Sequence, residues 1–293
     1  MSLGTTRPSR YPTRTVGEAV STPRRDPVVH GDDRSGPLSP EQLEAYEARG
    51  FHQVDRLLGV DELLALEDAV RRLLDDRSLD ADERVVREHA GRDVRSLFEV
   101  HRLDPAFAAL AADPRLVEPA RQILGSEVYV HQSRVNLKPG FRGRGFYWHS
   151  DFETWHAEDG MPAMRALSIS LSLTPNEPWN GSLMVIPGSH RRFIGCQGET
   201  PEAHYQTSLR SQEYGVPSEA DLSRLVAEGG IHMVTGGAGS AVMFDCNLMH
   251  GSGSNISPLA RRNLFIVYNS VENRLVEPFA APAPRPGFIA ARP

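Results

Sequence analysis

In the run Phe146-Tyr147-Trp148-His149-Ser150-Asp151, His149 and Asp151 stand two residues apart, and on an extended strand that spacing turns both side chains to one face. An imidazole and a carboxylate on one face are two ligands for one metal ion. His250, far along the chain, follows the strand-like run Ser240-Ala241-Val242-Met243-Phe244-Asp245 and can supply a third. Two imidazoles and one carboxylate on one side of an ion leave the other side open, as in the non-haem Fe(II) oxygenases, and open positions are what oxygen activation requires. A short His-x-Asp pair alone is weak evidence, because such pairs also arise by chance. Arg261 and Arg262 come next after His250, on what reads as the following strand. A guanidinium there can grip the distal carboxylate of 2-oxoglutarate bidentately while the 2-oxo acid end chelates iron. One arginine of the two suits that role and the other reads as a surface charge, with Arg261 the first candidate.

These residues need elements to carry them. Residues 128–138 alternate, with Val128, Val130, Gln132, Arg134, Asn136 and Lys138 on one face, which turns polar along its length, and Tyr129, His131, Ser133, Val135 and Leu137 on the other. A polar face is tolerable inside a barrel only where it lines a wet or ligand-filled cavity. Residues 166–173 alternate more cleanly, setting Leu167, Ile169, Leu171 and Leu173 against Ser168, Ser170 and Ser172. Shorter strand-like runs lie at 183–186, 240–245 and 264–268. Helices come before the strands. Ser39-Pro40-Glu41-Gln42 reads as an N-cap with a capping box, and Gly50 closes that helix. Helical spacing continues over 60–76 and 114–124, the latter ending at Gly125. Helices followed by strands predict a mainly β fold, a sandwich or barrel with helices outside. Six of the 22 prolines fall in the first 40 residues and five between 278 and 293. The expected organisation is therefore an extended segment 1–38, a single domain 39–277 and a Pro-rich segment 278–293. Residues 191–235, polar and Gly-bearing, read as a long insertion of the kind that lids a site.

Composition excludes other classes of function. The 293 residues hold 32 Lys and Arg against 38 Asp and Glu, a net charge of -6, so nothing draws the chain to nucleic acid or to an anionic membrane. There is no apolar run of membrane-span length, and the N-terminus is Arg/Pro/Thr-rich without a signal-type apolar stretch, so the expected compartment is the cytoplasm. Cys196 and Cys246, the only two cysteines, are expected to be free, buried thiols. Lys138 is the single lysine among arginines and reads as structural or as a charge at the mouth of a site. His190 reads as a structural residue in a tight turn, and Gly236-Gly237-Ala238-Gly239, with no helix pattern after it, as a turn before a strand.

His149-x-Asp151, His250 and Arg261 together resemble the phytanoyl-CoA dioxygenase-type branch of the Fe(II)/2-oxoglutarate enzymes. Within that branch, the string from Phe146 through Trp155-His156 to Glu158-Asp159-Gly160-Met161-Pro162 resembles the signature of the ectoine hydroxylases. The similarity extends through Val130 to Asn136, Asn180 to Met184, Pro187 to His190 and Asn263 to Asn269, and covers most of residues 11–292. It implies a double-stranded β-helix, the cupin-like jelly roll, and hydroxylation of ectoine to 5-hydroxyectoine with O2 and 2-oxoglutarate consumed and succinate and CO2 released. It implies His149, Asp151 and His250 as catalytic iron ligands and Asn136, Phe146, Ser252 and Arg261 around 2-oxoglutarate. Gln132, Arg134, Trp155, Ser168 and Phe265 match positions around ectoine, with Trp155 and Phe265 flanking its amidinium and Arg134 facing its carboxylate. Asp151 argues for hydroxylation, because related halogenases lack this carboxylate. A homodimer is also implied. Two other readings stay open on the residues alone: a hydroxylase of another small zwitterion, such as a free imino acid, and a jelly-roll binding protein with a metal that turns nothing over.

Overall fold

Ser39 starts the helix its sequence predicts. In the computed structural model, which describes residues 9–15, 20–88, 93–210 and 214–293, the Ser39 hydroxyl accepts from the Gln42 amide and the Gln42 side chain returns the bond. The helix Pro40–Arg49 then ends on Gly50 at φ 82°, the left-handed conformation that suits glycine. Helices Val60–Asp75 and Pro114–Leu124 follow, the second closed by Gly125 at φ 58°. Between them lies Pro105–Ala111, too short for its periodicity to stand out in the sequence.

Among the described residues, thirteen strands follow one another along the chain. They are β1 Ser21–Pro23, β2 Phe51–Val54, β3 Val85–Arg87, β4 Val94–Phe98, β5 Val128–Lys138, β6 Phe146–His149 and β7 Ala166–Ser172, followed by β8 Leu183–Val185, β9 Arg192–Ile194, β10 His232–Val234, β11 Ala241–Asp245, β12 His250–Ser252 and β13 Arg261–Ser270. A seven-stranded sheet runs β2-β11-β7-β13-β5-β4-β3, and a four-stranded sheet runs β10-β8-β12-β6, with all pairings antiparallel. The sheets pack face to face through Phe51, Val242, Phe244 and Phe265 of the larger against Leu183, Val185 and Val234 of the smaller, giving the expected jelly roll. The alternation along β7 decides which face goes where. Leu167, Ile169 and Leu171 join the core under the helices, while Ser168, Ser170 and Ser172 are buried on the inner side, with Ser170 accepting from Asn263.

Two expectations need correction. Strict alternation over 128–138 would put Val128 and Val130 on the face of Gln132, yet both pack against the helical core with Tyr268. The cause is a bulge: Val267 pairs with Gln132 but Tyr268 pairs with Val130, leaving His131 as the extra residue. His131 is thereby carried against the ring of Trp155, a cavity-lining residue, 5.1 Å between centroids. The second correction concerns 191–235. Its described residues are no plain loop, since they hold β9, a short helix Tyr205–Ser208, the helix Glu219–Gly229 and β10. Residues 211–213 of that stretch, and 1–8 and 16–19 of the expected N-terminal segment, lie outside the described residues.

Both cysteines are buried and free, and His190, fully buried, bonds the Glu47 carbonyl at 3.1 Å. The glycine run precedes β11 as a turn. Among the described residues no helix is long and apolar enough to cross a membrane.

Candidate active site

β6 and β12 are neighbours, and their register sets His149 directly across from His250. The strand β6 stops at His149. Ser150 keeps an extended backbone, so the alternation survives one residue more and Asp151 turns to the same side as it opens the helical turn Asp151–Thr154. The three ligand atoms lie within 4.8 Å of one another, with His149 Nε2 and His250 Nε2 at 3.8 and 3.9 Å from Asp151 Oδ1.

The donor set fits a divalent ion. His149 Nδ1 bonds the Tyr147 carbonyl at 2.7 Å and His250 Nδ1 the Leu248 carbonyl at 2.9 Å. A carbonyl only accepts, so each Nδ1 carries the proton and each Nε2 presents a lone pair toward the carboxylate. Asp151 Oδ2 accepts from Ser168 Oγ at 3.2 Å, which leaves Oδ1 for the ion. Burial, reinforced by His250, pulls the His149 imidazole down to about 4. Burial pushes the Asp151 carboxyl upward, but His250, His149 and Arg134 outweigh it and hold the group below its ordinary range. Neutral imidazoles and an ionised carboxylate are the forms that bind metal.

The three ligands line a cavity of about 970 Å³, its open mouth included, which also takes in Gln132, Arg134, Asn136, Phe146, Trp155, Ser252, Arg261 and Phe265. Eleven of the twelve residues singled out in the sequence therefore meet in one place, whereas Ser168 stands one step back, behind Asp151. At one end, Arg261 on β13 pairs in register with Lys138 on β5. Arg261 is 3% exposed and its Nε has no hydrogen-bond partner, and among the described residues no carboxylate pairs with it. Arg262 points the other way and pairs with Glu67 of the helix Val60–Asp75. Lys138 Nζ donates to Ser252 Oγ at 2.8 Å and to the Gly253 carbonyl at 2.5 Å. Burial, with Arg261 and Arg95 nearby, pulls the Lys138 ammonium down to about 6. Arg261 stays charged here without an anion, and Lys138 beside it takes up its proton when one arrives, which makes this an end suited to a carboxylate.

At the other end, the Arg134 guanidinium lies 5.0 Å over the Phe265 ring and donates to Gln132 Oε1 at 2.5 Å. Trp155 is 2% exposed and serves two environments, packing with Phe152, Met161 and Val267 while lining the cavity. Its polar flanks mark a buried network and not exposure: Arg14 grips Glu153 through both carboxylate oxygens at 2.7 and 3.0 Å, and Glu158 bonds His204 at 2.7 Å.

Of the lining residues that the sequence did not assign to the site, three are charged. Arg95 lies 4.2 Å over the Phe146 ring and donates to the Gly145 carbonyl at 3.1 Å, fixing the approach to that ring. Lys138, expected to be structural or a charge at the mouth, is buried, tied to Ser252 and Gly253, and lines the cavity; its place on the face of Gln132, Arg134 and Asn136 was the available signal. Arg285 comes from the Pro-rich C-terminal segment, where no periodicity announces it.

Comparison with known proteins agrees with this geometry. The phytanoyl-CoA dioxygenase family matches residues 46–263. Ectoine dioxygenases of Nocardia farcinica and Streptomyces coelicolor are 56% and 55% identical to this chain, covering 97% and 96% of it and 93% and 94% of their own lengths. The crystal structure of EctD from S. alaskensis with 2-oxoglutarate and 5-hydroxyectoine superposes with a TM-score of 0.88 at 46% identity, over 97% of this chain and 95% of that one. The same protein with bound Fe gives a TM-score of 0.87 at 46% identity, over 98% and 95%.

Proposed function

Because the chain belongs to the phytanoyl-CoA dioxygenase family and, within it, to the ectoine dioxygenases, we propose that it hydroxylates L-ectoine to 5-hydroxyectoine with Fe(II), O2 and 2-oxoglutarate. The observation that carries this is the buried His149, Asp151 and His250 set opening on a cavity with the unpaired Arg261 guanidinium beside Lys138 at one end and an aromatic and guanidinium wall at the other. Iron held by the three ligands supplies the oxygen activation that is coupled to decarboxylation of 2-oxoglutarate. One oxygen atom ends in succinate and the other in the new hydroxyl group.

The protein's own residues supply position. Arg261 and Lys138 take the distal carboxylate of 2-oxoglutarate, and Ser252, Asn136 and Phe146 flank it. Asn136 is oriented by Ser96, whose hydroxyl donates to its side-chain oxygen at 2.8 Å. Ectoine is a small ring carrying a delocalised amidinium and a carboxylate. Arg134, held by Gln132, faces the carboxylate, while Trp155 and Phe265 offer ring faces to the cation. Holding the ring this way keeps one C-H bond near the reacting centre, the positional part of catalysis. The direct test is incubation with Fe(II), 2-oxoglutarate, ascorbate and a panel of zwitterions, followed by mass analysis. Ectoine gains one oxygen with one succinate per product; gain on a free imino acid and none on ectoine would overturn the proposal.

Trp155→Ala separates the substrate wall from the metal. Loss of cation-π attraction, about 0.5 to 2 kcal/mol, plus the vacated pocket weakens ectoine binding by roughly one to two orders of magnitude. Since Trp155 also packs in a core cluster, the melting temperature falls as well. The decisive reading is the product ratio: 2-oxoglutarate is consumed with little hydroxyectoine formed. An unchanged ratio of hydroxyectoine to succinate would remove Trp155 from the substrate site.

A further inference from the structure

The Pro-rich C-terminal segment packs onto the body of the protein. Ile289 and Ala290 are fully buried, and the segment is fixed to the body from 285 to 292. Arg285 grips Asp159 with two bonds of 2.8 and 2.5 Å, and Arg292 donates to the Asp159 carbonyl at 2.6 Å. Asp159 closes the helical turn that begins at Trp155, so this anchor reaches a wall of the cavity. A second anchor reads the bulge in β5. The extra residue, His131, gives its carbonyl to the Ala291 amide at 2.9 Å, and Gln132 Nε2, one residue on, donates to the Ile289 carbonyl at 2.7 Å.

These bonds set which way the Gln132 side-chain amide faces. With Nε2 tied to a carbonyl, which only accepts, Gln132 Oε1 is left to accept from Arg134. The Arg134 guanidinium is thereby aimed while its Nε stays buried without a partner. A parallel path runs through rings, with Phe288 edge-on to Phe98 at 6.3 Å and the Arg134 guanidinium 6.0 Å over the Phe98 ring. Val86, Phe98 and Ile289, with Tyr205, Leu209 and Phe288 packed against them, form a small cluster separate from the main core.

We propose that residues 285–292 act as a positioning strap for the substrate end of the cavity, in which the Ile289 carbonyl orients Gln132 and, through it, Arg134. The strap sets affinity for the zwitterionic substrate and leaves the iron and 2-oxoglutarate end untouched. This rests on the ectoine reading given above. Ile289 sits in the peripheral cluster, so Ile289→Asp lifts the segment without opening the main core, and Ala291→Pro removes the single amide donor to His131.

In the full-length enzyme with Fe(II), Ile289→Asp raises the KM for ectoine at least tenfold, Ala291→Pro raises it less, and the KM for 2-oxoglutarate stays within twofold; Ile289→Val restores wild-type values. By linkage, ectoine added anaerobically to the wild-type enzyme with Fe(II) and 2-oxoglutarate slows hydrogen exchange at the amides of 289–291. Unchanged ectoine KM in both variants, ectoine and 2-oxoglutarate constants rising together, or exchange indifferent to ectoine each overturn the strap. If Ile289→Asp fails to fold, Ala291→Pro and the wild-type exchange experiment still decide. Failure of the unaltered chain to hydroxylate ectoine overturns instead the reading on which the strap rests.

Discussion

Asp151→Ala produces no detectable hydroxyectoine and keeps its fold. The carboxylate is the single anionic member of the ligand set, and each imidazole sees it from under 4 Å. Without it two neutral nitrogens remain, a set that neither holds a hard divalent ion firmly nor fixes where its open positions face. Loss of an outer partner of a ligand costs roughly 10- to 100-fold in affinity or activity, so loss of the ligand itself costs more. The fold survives because a buried carboxylate is removed, not an apolar anchor, and both jelly-roll faces keep their packing. A thermal readout separates this from simple damage. Wild-type enzyme gains melting temperature when Fe(II) is added, by mass action on the native state; Asp151→Ala melts near the metal-free wild type and gains nothing. Ser168→Ala gives a graded version, lowering metal affinity through the lost bond to Asp151 Oδ2. Turnover by Asp151→Ala, or undiminished turnover by chelator-treated wild type, would refute the assignment.

How far the site could be read from sequence depends on which physical rule placed each residue. His149 and Asp151 were legible because strand alternation carries through Ser150, and His250 because it opens a strand paired with β6. The capping box at Ser39 was legible because it is a local bond between near neighbours. Arg134, Asn136 and Lys138 follow from period two as well, but the same rule misplaces Val128, Val130 and His131, since a bulge is set by the partner strand and leaves no mark on its own residues. Arg285 and Ile289 were invisible for a further reason. They lie in a Pro-rich segment whose contacts are all distant in sequence, and prolines at 282, 284 and 286 say only that the backbone is extended. The polar residues that flank Trp155 in sequence, Glu153 and Glu158, are buried through pairing with Arg14 and His204, contacts far away along the chain that no local pattern announces.

Arg261→Ala and Arg262→Ala, adjacent in sequence and equal in charge, differ sharply in effect. Alternation along β13 sends Arg261 inward beside Lys138 and Arg262 outward to Glu67 on the helix Val60–Asp75. Burial lowers the Arg261 guanidinium to about 10, so it remains charged at neutral pH. A buried charge without an anion is unfavourable until a ligand supplies one. Truncating it therefore leaves the metal-loaded protein's melting temperature unchanged or slightly raised when 2-oxoglutarate is absent. With 2-oxoglutarate present, a desolvated carboxylate loses a bidentate partner, which weakens binding by about 2 to 5 kcal/mol, roughly thirtyfold to several thousandfold. Lys138 still offers one ammonium, which puts the expected loss toward the lower end. Arg262 and Glu67 are a partly exposed pair worth about 0 to 1 kcal/mol, so Arg262→Ala costs little stability and leaves 2-oxoglutarate affinity intact. Titration of 2-oxoglutarate against both variants, read by its KM and by the melting-temperature gain it confers, checks the ranking. The reverse order would mean that β13 presents residue 262 to the cavity, and with that shift of one residue Phe265 and Asn263 would leave the interior too, so the substrate wall and the co-substrate end stand or fall on the same register.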